Sequence, residues 1–126
     1  MRLGINFLGM GMTFQDHLDC LKLAEESGFE TAWMAEWYRD AFSYLGAFAL
    51  TTDRIKIGPG VCNIYVRSPT ITTMTIASID EISNKRAVLG IGASLPEIVE
   101  RQHGIKFEKP LGRMREYVQI IRKILT

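Results

Sequence analysis

A β-branched run at Ile55 and Ile57 meets Gly58-Pro59-Gly60, continues as an apolar-polar segment, and then reaches Ser68-Pro69. No other stretch restricts the fold as much. Proline has no N–H to give to a ladder, and glycine adopts backbone angles that other residues avoid. A strand broken in this way predicts a bulge and a close approach of backbone to something else. At the end of a parallel strand, that something is commonly a ligand.

The rest of the chain supplies the parallel strands. A short apolar run over 3–8 reads as a buried strand. Thr13, with Asp16 three residues on, opens a helix that carries Phe14, Leu18, Leu21 and Ala24 at helical spacing and stops at Gly28. A second strand is expected over 31–35, a second helix over 41–50 and a third strand over 55–58. Pro69 suits the first position of a third helix, whose inner stripe reads as Ile71, Met74, Ile79 and Ile82. After a turn at Asn84-Lys85-Arg86, a fourth strand is expected over 87–91. Leu95-Pro96 opens a short helix closed by Gly104, and Met114, Tyr117, Val118, Ile121, Ile124 and Leu125 mark a last amphipathic helix.

Strand-helix order repeated four times implies parallel βαβ units with right-handed crossovers. Nearly all-apolar strands suggest a sheet covered on both faces. The expected fold class is therefore α/β, a single (βα)4 unit over 1–126. Four such units form either a small open sheet or half of an eight-stranded barrel, which needs ~250 residues. The final apolar helix, with no tail after it, suits an interrupted barrel. A half-barrel has unpaired edges and calls for a second copy or a complementary half.

Composition excludes several classes of function. With 47% apolar and 23% charged residues and a net charge of +1, the 126-residue chain has no surface field for nucleic acid or an anionic membrane. Its N-terminal apolar run is too short for a signal peptide, and no stretch approaches a membrane span. Cys20 and Cys62 are too few for a disulfide framework and suit no metal site, which fits a reducing, cytoplasmic setting.

The segment from Gly58 to Pro69 resembles the third-strand motif of the luciferase-like flavin and coenzyme F420-dependent oxidoreductases. It is most similar to the F420-dependent methylenetetrahydromethanopterin reductase branch. The stretches over 23–33, 77–93 and 107–125 agree with it. The resemblance implies the N-terminal half of a TIM-type barrel, with the cofactor ring at the C-terminal ends of the strands. It implies a non-proline cis peptide at Gly60-Val61 behind that ring, with Asn63, Ala93 and Ser94 lining the cofactor. Glu36 matches an acid at the end of the second strand. Asn6 stands where the reductase branch carries Glu, and Trp37 where many of the monooxygenases carry His. The implied cofactor is F420, with FMN as the alternative, and the implied reaction is hydride transfer with a small C=N or carbonyl-type substrate. Glu36 and Asn6 would face the substrate. The cofactor phosphate site would belong to later strands.

Each residue also has a plainer reading. Glu36 is either a loop carboxylate or a partly buried acid at a strand end. Trp37 and Tyr38 either stack on a ring or cap the barrel mouth. Asn6 points into the barrel or at a helix, where a buried amide needs partners. Gly90-Ile91-Gly92-Ala93 reads as a tight turn rather than a dinucleotide loop. His17 and His103 read as solvated or dipole-stabilised residues, Arg67 as a surface ion-pair partner, and Cys62 as a small packing residue. Three rival functions remain: an FMN-dependent luciferase-like monooxygenase, which the resemblance also allows; a non-catalytic half-barrel module; and a small open α/β domain with its ligand at a strand-order switch point.

Overall fold

The computed structural model describes residues 2–126. Its elements in chain order are β1 (Gly4–Phe7), α1 (Phe14–Glu26), β2 (Thr31–Met34), α2 (Ala41–Thr51), β3 (Lys56–Pro59), β4 (Cys62–Asn63), α3 (Pro69–Ile82), β5 (Ile91–Gly92), α4 (Pro96–His103) and α5 (Pro110–Leu125). β1, β2 and β3 pair in sequential parallel order, with Asn6 opposite Trp33 and Trp33 opposite Gly58. β4 and β5 pair in parallel, and a bridge between Ile57 and Ala87 joins the two sheets. β3 and β4 are therefore two segments of one strand interrupted at Gly60-Val61, which is the cis peptide. The strand order is 1-2-3-4, a half-barrel rather than an open sheet with a switch point.

Local chemistry sets the helix starts. Thr13 and Asp16 form a reciprocal capping box on α1, Asp40 caps α2, and the Ser68 side chain accepts from Ile71 N ahead of Pro69. Gly104 closes α4 at φ 65°.

The fourth strand is less regular than its sequence suggests. Ladder bonds run at its ends, from Val88 N to Ile57 O (2.9 Å), Cys62 N to Gly90 O (2.8 Å) and Ile64 N to Gly92 O (3.0 Å). Between them the two backbones approach too closely for any side chain. A Cβ on Gly58 would lie 1.9 Å from the Val88 carbonyl oxygen, and one on Gly90 would lie 2.3 Å from that of Pro59.

The main core lies between the sheet and α1–α3 and holds Phe7, Leu21, Ala32, Met34, Leu45, Phe48, Ile57 and Ile79. A smaller cluster of Ile64, Tyr65, Val99, Tyr117 and Ile121 seats α4 and α5. The expectation of sheet faces covered on both sides does not hold. In β1, Gly4 and Asn6 are exposed while Phe7 is buried, because helices cover only the convex face.

Two helix faces also differ from expectation. α3 buries Thr72, Thr73, Ile76 and Ile79, while Ile71, Met74 and Ile82 are about half exposed. The threonine hydroxyls have internal partners: Thr73 Oγ1 donates to Pro69 O at 2.7 Å, and Thr72 Oγ1 lies 2.6 Å from Tyr117 Oη. A satisfied threonine then packs as a β-branched apolar residue. On α5, Tyr117 and Ile121 are buried but Ile124 and Leu125 are exposed. His17 is not solvated. It is 0% exposed, lies among Phe7 and Tyr44, and donates from Nδ1 to Thr13 O at 2.7 Å, while Nε2 has no partner among the described residues.

At the N-terminal ends of the strands, two side chains bind main chain. Buried Arg86 donates to Ser83 O, Thr52 Oγ1, Ile55 O, Ala49 O and Thr52 O at 2.6–2.9 Å. It thereby ties the C-terminal ends of α2 and α3 to the start of β3. Glu25 accepts from the N–H groups of Asp53, Arg54 and Ile55. Burial pushes its carboxyl up, but these three donors outweigh that and hold it below the usual carboxylate range.

Candidate active site

The interrupted strand places its polar residues at the opposite, C-terminal end. Gly60 N donates to Met34 O at 2.8 Å and fixes the bulge against β2. The chain resumes at Cys62, which turns inward to α3, so that Val61 is left exposed and Asn63 is buried. A cavity of about 260 Å³ opens over the bulge, walled by Leu8, Ala35, Val61 and Ile98, with Glu36, Asn63 and Ser94 as its polar members. A second cavity of about 590 Å³ adjoins it and shares Glu36, Trp37, Asn63 and Ile98. Arg67, Asp40, Tyr38 and His103 are among the other residues that line the larger one.

Of the residues singled out in the sequence, Gly60, Val61, Asn63, Ser94 and Glu36 thus surround one space. Asn6 approaches from β1: its Oδ1 lies 3.5 Å from where a Cβ on Gly60 would stand. Ala93 faces the other way and packs against the smaller apolar cluster. Past the end of β5 the chain turns at Ser94, whose φ is 62°, and Ser94 lines the cavity instead.

The Glu36 carboxylate is held by a cation that reads in the sequence as a surface residue. Arg67 Nε donates to Glu36 Oε1 at 2.6 Å, and another guanidinium nitrogen donates to Asp40. The guanidinium also lies over the Phe42 ring, 4.5 Å from its centroid. Arg67 is therefore a partly buried bridge between two carboxylates and an aromatic face, a geometry suited to arginine's planar fork. Asn63 Oδ1 accepts from Tyr65 N at 2.9 Å, and its Nδ2 has no protein partner among the described residues. Tyr65 in turn stacks on Phe107 and donates to Glu108 O at 2.6 Å, anchoring the loop that carries Arg67.

Behind the bulge, Cys62 Sγ lies 3.6 Å from Thr72 Oγ1, which meets Tyr117 Oη. Burial pushes the Cys62 thiol up to about 11 and the Tyr117 phenol up to about 12. Both remain protonated near neutrality, so Cys62 is no thiolate nucleophile. Arg67 was the residue the sequence concealed, because its partners lie 27 and 31 positions away.

The sequence profile of luciferase-like monooxygenases matches residues 1–126. This chain belongs to that family. Over 126 residues it is 48% identical to the 5,10-methylenetetrahydromethanopterin reductase of Archaeoglobus fulgidus, covering 98% of this chain and 37% of that protein. The structure of the coenzyme F420-dependent tetrahydromethanopterin reductase from Methanopyrus kandleri matches with a TM-score of 0.85 and 29% identity, over 95% of this chain and 39% of that one. An FMN complex of the oxygenating constituent of 3,6-diketocamphane monooxygenase from Pseudomonas putida shares the fold, with a TM-score of 0.83 at 22% identity, over 98% of this chain and 39% of that one. This luciferase-like chain thus spans little more than a third of the length of these relatives. Among its described residues, no cluster of three or more His, Cys, Asp or Glu side chains could hold a metal ion, and no helix is long and apolar enough to cross a membrane.

Proposed function

We propose that this chain is the N-terminal part of a coenzyme F420-dependent oxidoreductase that transfers hydride between the deazaflavin and a small C=N or carbonyl-type substrate. One observation carries the reading. In a chain 48% identical to a methylenetetrahydromethanopterin reductase, the strand bulge, Asn63, Ser94 and Glu36 enclose one cavity with apolar walls at the strand ends. The cavity suits a flat heteroaromatic ring. Its walls are aliphatic apart from Trp37, its back is main chain without a bulky side chain at Gly60, and the free Asn63 amide could donate to a ring carbonyl. FMN is the alternative ring, since the same features would accept an isoalloxazine.

When bound, the ring supplies hydride chemistry, and the protein supplies position and electrostatics. The bulge at Gly60 and Val61 would support the ring, and Asn63 Nδ2 and the Ser94 hydroxyl would hold its polar groups. Glu36, clamped by Arg67, gives the mouth a fixed carboxylate beside the larger cavity, where substrate would enter past Trp37 and Tyr38. Asn6 lies on the concave face within reach of the bulge. We place the reaction in a reducing, cytoplasmic setting, consistent with two free cysteines. The partners would be a small molecule and either a second copy or a complementary half-barrel, rather than nucleic acid or membrane.

Titration of the full chain with F420 or FMN tests the cofactor. Binding should shift the ring's absorbance and raise the melting temperature; if neither ring does either, the proposal fails. A second reading, a non-catalytic half-barrel module, draws support from the open concave face, where Gly4 and Asn6 are exposed. Light scattering on the eluting protein, read with the titration, separates the two readings: an assembly that binds neither ring favours the module, and a stable, ligand-free monomer counts against both.

A further inference from the structure

We infer that Trp33 is a positioning residue that sets the height of the bulge and hence the depth at which a flat cofactor ring rests; this rests on the function proposed above. Four glycines from three strands point at this one side chain. A Cβ on Gly60 would lie 2.9 Å from Trp33 Cβ, and one on Gly4 would lie 3.4 Å from the indole Nε1. On Gly58 and Gly90 it would lie 3.1 and 3.3 Å from the indole Cζ3. At Gly58 and Gly90 the facing carbonyls of Val88 and Pro59 are nearer still, at 1.9 and 2.3 Å, and the indole edge packs beside that crossing; at Gly60 the bulge rests on Trp33 Cβ, with Cγ at 3.6 Å. The indole lies flat along the concave face, one inward position below Ala35, and Ala35 and Gly60 both line the 260 Å³ cavity. Large Trp33 near the end of β2 and small Ala35 just past it form a step. The bulge rests on the lower part of that step, and the cavity opens over the upper part.

The indole is not part of the folding core. Trp33 belongs to neither apolar cluster, is half-buried, and makes no side-chain hydrogen bond among the described residues. A residue placed this way alters the site more than it alters stability. The face it occupies is the one left uncovered by helices, so the side chain is free of the packing that would explain it as core.

The test uses the full chain and two variants, Trp33→Phe and the reciprocal Gly60→Ala, which pushes a methyl against Trp33 Cβ. Each is titrated with F420 and FMN while ring absorbance and melting temperature are followed. Trp33→Phe should melt within about 4 °C of the native chain. It should bind the ring at least about tenfold more weakly and return the bound ring's absorbance towards that of free ring. Gly60→Ala should weaken binding in the same direction. If Trp33→Phe binds with native affinity and a native bound spectrum, the inference is overturned while the proposed function stands. If the native chain binds neither ring, both fall together.

Discussion

The two ends of the strands solve opposite problems with the same alternation of strand and helix. At the N-terminal end, polar side chains serve the main chain: Arg86 gives five bonds to the ends of two helices and the start of β3, and Glu25 gathers three backbone N–H groups. At the C-terminal end, large apolar side chains stand in the open. Leu8, Met10, Trp37, Tyr38, Val61 and Leu95 are all at least 43% exposed. Their loops include Gly9 and Gly11 at φ 76° and 67°. The first end spends its polar groups on closure, and the second leaves them directed at a cavity. That division is what a barrel of this kind does when one end holds the structure and the other holds the ligand.

The comparison breaks most readily at Arg86. Arg86→Ala leaves buried carbonyls at Ala49, Thr52 and Ile55 unpaired and should lower the unfolding free energy by about 3 kcal/mol or more. Urea denaturation of the full chain measures it, and a loss under about 1 kcal/mol would show that the N-terminal end is not where stability resides. Glu25→Ala should cost less, about 1–2 kcal/mol at neutral pH, since the carboxylate is partly hydrated. The folded-state carboxyl titrates below its ordinary 4.5, so its stabilisation is full above that value and is lost as pH falls through the lowered one. The gap between native and Glu25→Ala stabilities should therefore narrow between pH 7 and pH 3; a constant gap refutes the assignment.

At the other end the expected balance reverses. Arg67→Met should reduce stability by only about 1 kcal/mol, given the partial exposure of its ion pairs. It should nonetheless weaken ring binding several-fold by releasing Glu36, read by absorbance titration. Equal effects on binding and stability would erase the contrast. The smallest change is Ser94→Gly. Serine at φ 62° carries a strain of about 1 kcal/mol that glycine relieves while adding freedom to the unfolded chain. Melting should shift little, and a large drop would mean that the Ser94 hydroxyl holds the loop.

What could be read from the sequence follows from how local each signal is. The start of α3 was legible because Ser68-Pro69 is a cap and a fixed φ in adjacent residues. The bulge was legible because Gly58-Pro59-Gly60 cannot continue a ladder. The inward face of α3 was not, because Thr72 and Thr73 bury only once Pro69 O and Tyr117 Oη have satisfied their hydroxyls. His17 was misread for a related reason: its ring nitrogen finds Thr13 O one helical turn away, which allows a polar residue into the core. Arg86 looked like part of a turn, since acceptors that are all main chain or a distant threonine leave no motif. In the site, Glu36 and Asn63 were visible as residues at strand ends. Arg67 as the clamp on Glu36 was not, because the pairing depends on how two loops meet.

The crossing of backbones at Gly58 and Gly90 has a consequence for how the chain finds its pairing. Each glycine lies beneath a carbonyl of the opposite strand, at Val88 and Pro59. A slide by one residue would bring Leu89 or Ile91 under the Pro59 oxygen, where no Cβ fits. Slipped registers are thus rejected by contact before any ladder bond can reward them. Insertions and deletions between the third and fourth strands must then be absorbed within the α3 connection, and the two strands have room to change only as a matched pair.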